Sequence, residues 1–102
     1  MSAADYTNDA QQRILRALQV LAGNELVGVT PGDMAKALGV SPSVVTRDLA
    51  NLRESGLGEK IEETGRWRLA PKLVQIAIAH SNALSRAKAR LSEVENRYSR
   101  EP

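Results

Sequence analysis

Thr30-Pro31-Gly32-Asp33-Met34-Ala35-Lys36-Ala37-Leu38-Gly39-Val40-Ser41-Pro42-Ser43-Val44-Val45-Thr46-Arg47-Asp48-Leu49 is the stretch on which the fold turns. It contains two helix starts. Thr30 can cap, Pro31 takes the first helical position, where its missing N–H is harmless, and Asp33 completes a box-like spacing in the first turn. Ser41 and Pro42 repeat the cap and the first position. Gly39 ends the first of these helices, and Gly56, after Ser55, ends the second. The pattern predicts helices over about 31–38 and 42–55. Met34, Ala35 and Leu38 are the inward positions of the first, and Val45, Leu49 and Leu52 those of the second. Ala35-x3-Gly39-x5-Val45 supplies a small residue for close helix approach, a glycine for the turn and an apolar anchor. Two short helices joined this tightly make a helix-turn-helix.

Outward from this stretch, Ile14, Leu15, Leu18, Leu21 and Ala22 recur at helical spacing, so a first helix is expected over about 8–22, stopped by Gly23 and Asn24. The polar residues before it read as a frayed start. Leu26-Val27-Gly28-Val29 is too short for a helix and is expected to form one short strand. Downstream, Leu57, Glu59 and Ile61 alternate with Gly58, Lys60 and Glu62, and Arg66-Trp67-Arg68-Leu69 follows a turn around Glu63-Thr64-Gly65. That reads as a β-hairpin, which must pack on the helices to be stable. From Pro71 to about Tyr98 no Gly or Pro intervenes. Leu73, Ala77, His80, Leu84, Ala87, Leu91, Val94 and Tyr98 are spaced alternately by four and three, a heptad seam. At ~1.5 Å per residue the helix is ~40 Å long, too long for the preceding domain to cover. The expected fold is mainly α, a winged helix-turn-helix of three helices plus a β-hairpin wing, with a long C-terminal helix. The wing-bearing domain is placed at 8–70 and a dimerisation helix at 71–100.

Composition agrees with this and excludes other classes. The chain has 102 residues, the size of one domain. Ala (14) and Leu (12) dominate its apolar residues, which suits packed helices better than an all-β sandwich. With 14 basic and 12 acidic residues the net charge is +2, which permits a nucleic-acid partner without demanding one. Cysteine is absent, which removes disulfides and thiolate chemistry. Neither a signal peptide nor a membrane-spanning run is present, so a soluble cytoplasmic protein is expected. There is no Gly-rich phosphate loop, no Ser-His-Asp arrangement and no pocket-forming length, so neither an enzyme nor a cofactor or metal protein is expected.

The functional candidates lie on the second helix of the pair and on the hairpin. With Val45, Leu49 and Leu52 inward, Ser43, Arg47, Ala50, Asn51 and Glu54 face outward, flanked by Val44 and Thr46. Recognition helices enter the major groove by their N-terminal part. Arg47 suits a guanine or a phosphate, and Thr46 or Val44 a thymine methyl. Duplex DNA is therefore the expected partner, contacted by Ser41, Ser43, Val44, Thr46, Arg47 and Asn51, with Lys60, Arg66 and Arg68 from the wing. The competing reading of Arg47 is a surface charge paired with Asp48 or Asn51. Asp48 stands where such helices usually keep an apolar residue, so the core is expected to lean on Leu49 and Leu52. Glu54, Glu59, Glu62 and Glu63 oppose phosphate nearby. Trp67 alternates with two arginines and is expected in the core rather than as a stacking platform. His80 is the single histidine and sits on the seam, with no second ligand to make it a metal site. Arg86, Lys88 and Arg90 spread around the last helix and read as a solvated face.

From Ile14 to Ile78 the chain resembles the N-terminal DNA-binding domain of the IclR family of bacterial transcription regulators. The likeness is carried by Gly28-Val29-Thr30, by Met34-Ala35-Lys36-Ala37-Leu38-Gly39-Val40, by Ser43-Val44-Val45-Thr46-Arg47-Asp48-Leu49 with Leu52 and Gly56, and by Arg66-Trp67-Arg68-Leu69-Ala70-Pro71-Lys72-Leu73. The resemblance implies DNA binding as a dimer, with Ser43, Thr46 and Arg47 on the DNA. Ser41-Pro42 departs from the usual Pro-Lys of the family, which removes a phosphate contact. Family members continue into an effector-binding domain. Here the long helix stands in that place, so effector sensing is not carried over. The expectation is a homodimer, joined through Leu73, Ala77, His80, Leu84, Ala87, Leu91, Val94 and Tyr98, that regulates transcription in a bacterium or phage. The alternatives are an architectural or replication-linked DNA binder and a winged-helix module for protein assembly.

Overall fold

The computed structural model describes residues 6–100. Residues 1–5, part of the expected polar start, lie outside the described residues. The elements in order are α1 (Asp9–Ala22), α2 (Pro31–Leu38), α3 (Pro42–Ser55), β1 (Gly58–Ile61), β2 (Arg66–Leu69) and α4 (Pro71–Ser99). One compact unit ends at Lys72 and a second begins at Leu73.

In the first unit the expected helix signals are in place. Asn8 Oδ1 accepts from the Gln11 N–H at 3.0 Å and caps α1. Thr30 Oγ1 accepts from the Asp33 N–H at 3.0 Å at the start of α2. Gly39 ends that helix in the left-handed region, φ 68°, where a side chain would be strained. At α3 one expectation fails. Ser41 holds the cap position without a side-chain cap bond, and its hydroxyl lies 3.1 Å from that of Ser43 instead. The nearby hydroxyl offers a partner that competes with the helix amides.

Ala17 and Leu21 of α1, Val29, Met34 and Ala35 of α2, Val45, Leu49 and Leu52 of α3, and Trp67 of β2 form one core. Ile14 and Leu18 pack against its edge. Leu15 and Ala22, expected inward, are exposed. The stripe runs 14, 17, 21, and Leu15 lies about 100° off it. Small Ala17 on that stripe lets the helices approach.

The hairpin pairs β1 and β2 antiparallel, with Gly58 opposite Leu69, Glu59 opposite Arg68, Lys60 opposite Trp67 and Ile61 opposite Arg66. The expected strand at 26–29 shrinks to one residue. Val29 alone bridges to Trp67, by N–H···O contacts of 2.7 and 2.8 Å in the two directions. Leu26 and Val27 fall in the preceding turn and are exposed. Gly28 makes the bridge possible. Its φ is +85°, and a Cβ there would stand 2.9 Å from the Trp67 carbonyl oxygen.

In α4, Leu73 is half-buried and every later residue described is exposed. No helix among the described residues is long and apolar enough to cross a membrane.

Candidate nucleic-acid interface

The outward face of α3 is built by what its inward face holds. Val45, Leu49 and Leu52 are buried, which turns Ser43, Thr46, Arg47, Ala50, Asn51 and Glu54 to solvent, with Val44 half-buried. Thr46 Oγ1 donates to the Pro42 carbonyl at 3.0 Å, and Asn51 Nδ2 donates to the Arg47 carbonyl at 2.8 Å. Both side chains are thereby steadied against their own helix. The Arg47 guanidinium forms no ion pair among the described residues. Of the two alternative partners of Arg47, Asp48 is taken by Arg13, and Asn51 meets only the Arg47 backbone carbonyl.

The reason lies behind the helix. Asp48 is only 5% exposed and takes two hydrogen bonds from Arg13 of α1, Nε to Oδ2 at 2.6 Å and Nη2 to Oδ1 at 3.0 Å. This bidentate geometry is the strong form of an ion pair. The hydrogen bond to Asp48 holds the Arg13 guanidinium above its ordinary pKa. The core leans on Leu49 and Leu52 as expected, and Asp48 is buried beside them because Arg13 pairs with it. Sequence reasoning missed Arg13. The available signal was an acidic residue in an apolar slot, which demands a cation from another element.

On the wing, Arg68 Nε lies 2.7 Å from Glu59 Oε1, its direct cross-strand neighbour, and Arg66 Nη1 makes a long 3.4 Å contact to the Gly28 carbonyl. Two of the three wing cations are therefore engaged within the chain, while Lys60 is exposed and forms no ion pair among the described residues. Trp67 is 7% exposed and carries the Arg53 guanidinium 4.8 Å from its ring centroid, so its core placement holds.

Pro31, Thr46, Leu49, Lys60, Gly65 and Trp67 line a cleft of about 260 Å³ between the start of α2, α3 and the wing. The sequence had suggested no pocket. This one falls below the ~300–1,000 Å³ of small-molecule sites. It brings Thr46 and Lys60, from two separate elements, to one surface. Among the described residues no group of His, Cys, Asp or Glu is placed to hold a metal.

A helix-turn-helix pair buttressed by α1 and closed by a two-stranded wing defines a winged helix-turn-helix. The family model of a helix-turn-helix domain matches residues 6–60, and the chain belongs to that family. No curated protein matches it. Among solved structures, an IclR transcriptional regulator from Alicyclobacillus acidocaldarius is 22% identical, with a TM-score of 0.63 over 70% of this chain and 28% of its own. The resemblance to IclR regulators is thus one of fold, and the chain spans under a third of that regulator. Lactococcus lactis ZitR in complex with DNA is 26% identical, with a TM-score of 0.51 over 89% of this chain and 62% of its own. The Zalpha domain of Cyprinid herpesvirus 3 ORF112, solved for its binding mode to Z-DNA, is 27% identical, with a TM-score of 0.52 over 58% of this chain and 93% of its own.

Proposed function

We propose that this protein binds duplex DNA as a homodimer and regulates transcription, acting in the cytoplasm of a bacterium or in cells infected by a phage. The N-terminal half of α3 enters the major groove, with Arg47 reading a guanine or a phosphate and Ser43, Val44 and Thr46 beside it. Lys60 reaches the adjacent backbone, with Arg66 and Arg68 in support. The seam of α4, from Leu73 through Ala77, His80, Leu84, Ala87, Leu91 and Val94 to Tyr98, joins the two copies. The observation that carries this reading is the uncommitted Arg47 on an exposed α3 face that the Arg13–Asp48 pair anchors from behind. The DNA complex of ZitR supports it.

A second reading, a winged module for protein assembly, draws on the wing, where Glu59 already occupies Arg68. Fluorescence anisotropy on random-sequence duplex DNA across a salt series separates the two. Binding that weakens steeply with salt supports DNA recognition. Absence of binding to any duplex at low salt supports the assembly module. Selection of bound sequences from a random pool then tests regulation: a palindromic site is expected, with half-sites about one helical turn apart.

A further inference from the structure

We propose that two copies of α4 pair in parallel and in register, with Arg90 of each protomer against the partner's Glu95 and the two His80 rings facing each other. This rests on the reading that α4 joins the dimer, and adds its direction. Leu84 and Leu91 are 49% and 60% exposed, and Val94 and Tyr98 are also exposed, so the seam is open within one chain. A second copy is the occupant that the charges beside the seam select.

The residues that follow alternate seam positions are Val74, Ser81, Lys88 and Glu95, and those that precede the others are Ile76, Ala83, Arg90 and Arg97. In a parallel coiled coil a residue of the second set meets the residue of the first set five positions on in the partner. Ile76 then meets the partner's Ser81, Ala83 meets the partner's Lys88, and Arg90 meets the partner's Glu95. The one pair of charges is of opposite sign, and two-fold symmetry makes it twice. Neither Arg90 nor Glu95 has an ion pair within the chain among the described residues.

The antiparallel arrangement with full overlap forgoes this. It sets like flank against like flank, so Arg97 lies opposite Ile76 and Glu95 opposite Val74, charges against apolar side chains. It also buries His80 against Leu91, where the imidazole has no polar partner. In the parallel pair the two imidazoles meet, and one ring N–H can donate to the other ring's nitrogen. A polar layer of this kind specifies register and direction in coiled coils.

The absence of cysteine gives a direct test. Sedimentation of the full chain should show a dimer, and Tyr98→Cys should oxidise to a disulfide-linked dimer. At about 10 µM the oxidation should be roughly 100-fold faster than for the same variant carrying Leu84→Asp and Leu91→Asp, as an effective concentration in the millimolar range implies. Arg90→Glu or Glu95→Arg alone should weaken the dimer by about 5- to 30-fold, and the two together should restore it. A dimer in which Tyr98→Cys links only to Leu73→Cys from a second preparation would overturn the parallel direction while leaving the dimer standing. Monomers at every concentration would overturn both. Loss of DNA binding by an intact parallel dimer would touch only the DNA reading.

Discussion

The winged unit and the long helix use the same apolar residues to opposite ends. In the winged unit, Leu21, Met34, Val45, Leu49 and Leu52 are sequestered by one another, and even the acidic Asp48 is taken into the packed interface by Arg13. In α4, Leu84, Leu91, Val94 and Tyr98 follow as regular a pattern yet remain exposed. Three helices and a hairpin converge on one core, so each stripe finds an opposite stripe in its own chain. From Leu73 on, the described residues form a single helix, which offers no second stripe of its own. The same periodicity therefore accompanies an internal core in one region and an exposed apolar seam in the other.

Substitutions can break this contrast. The largest effect is expected for Leu84→Asp with Leu91→Asp: two charges on the seam should abolish the dimer in sedimentation velocity while leaving the melting of the winged unit in place. A persisting dimer would locate the interface elsewhere. Next, Leu21→Ala should destabilise the winged unit by about 2–5 kcal/mol in denaturant unfolding, since Leu21 is fully buried. Leu91→Ala, the same chemistry on α4, should leave that transition unmoved and lower only dimer affinity. Arg47→Ala should cost about 1–3 kcal/mol of DNA affinity, read by anisotropy, with unchanged melting. Unchanged affinity would remove Arg47 from the interface.

The smallest effect is expected for Asp48→Leu. An apolar residue of similar size fills the slot, and Arg13, with 19% of its side chain exposed, can turn to water, so the melting temperature should stay near that of the parent. Asp48→Ala, which leaves a gap as well as a lone cation, should lower it more. The pair gives stability little pH dependence from the Arg13 side. Its pKa is raised above an already high ordinary value, so the contribution is complete below that value and is lost only in strong alkali. A stability loss between pH 7 and 9 that Arg13→Gln removes would contradict this.

Much of the fold was legible because its signals are local. Thr30-Pro31, Gly39 and Gly56 act on amides within a turn of themselves, and they set α2 and α3 at the boundaries expected. Trp67 was placed in the core by alternation alone. The failures have a common cause. Leu15 looked inward because a one-dimensional pattern cannot tell which of two adjacent apolar residues meets the neighbouring helix. Ser41 looked like a cap because its competing partner, the Ser43 hydroxyl, depends on side-chain rotation. The candidate site was legible as a face of α3 but not as a set of free and engaged charges. Arg66 and Arg68 read as equal to Lys60, yet strand register places Glu59 against Arg68 and the Val29 bridge brings the Gly28 carbonyl to Arg66.

Caps, helix-ending glycines and the four-three spacing of α4 act over at most one heptad, so the order of residues was enough to establish the helices, the wing and the open seam. The partnership of Arg13 with Asp48 spans 35 residues and exists only because α1 packs across α3. Packing geometry, not spacing, decided that Asp48 is buried against Arg13 while Arg47 stays exposed on the outer face of α3.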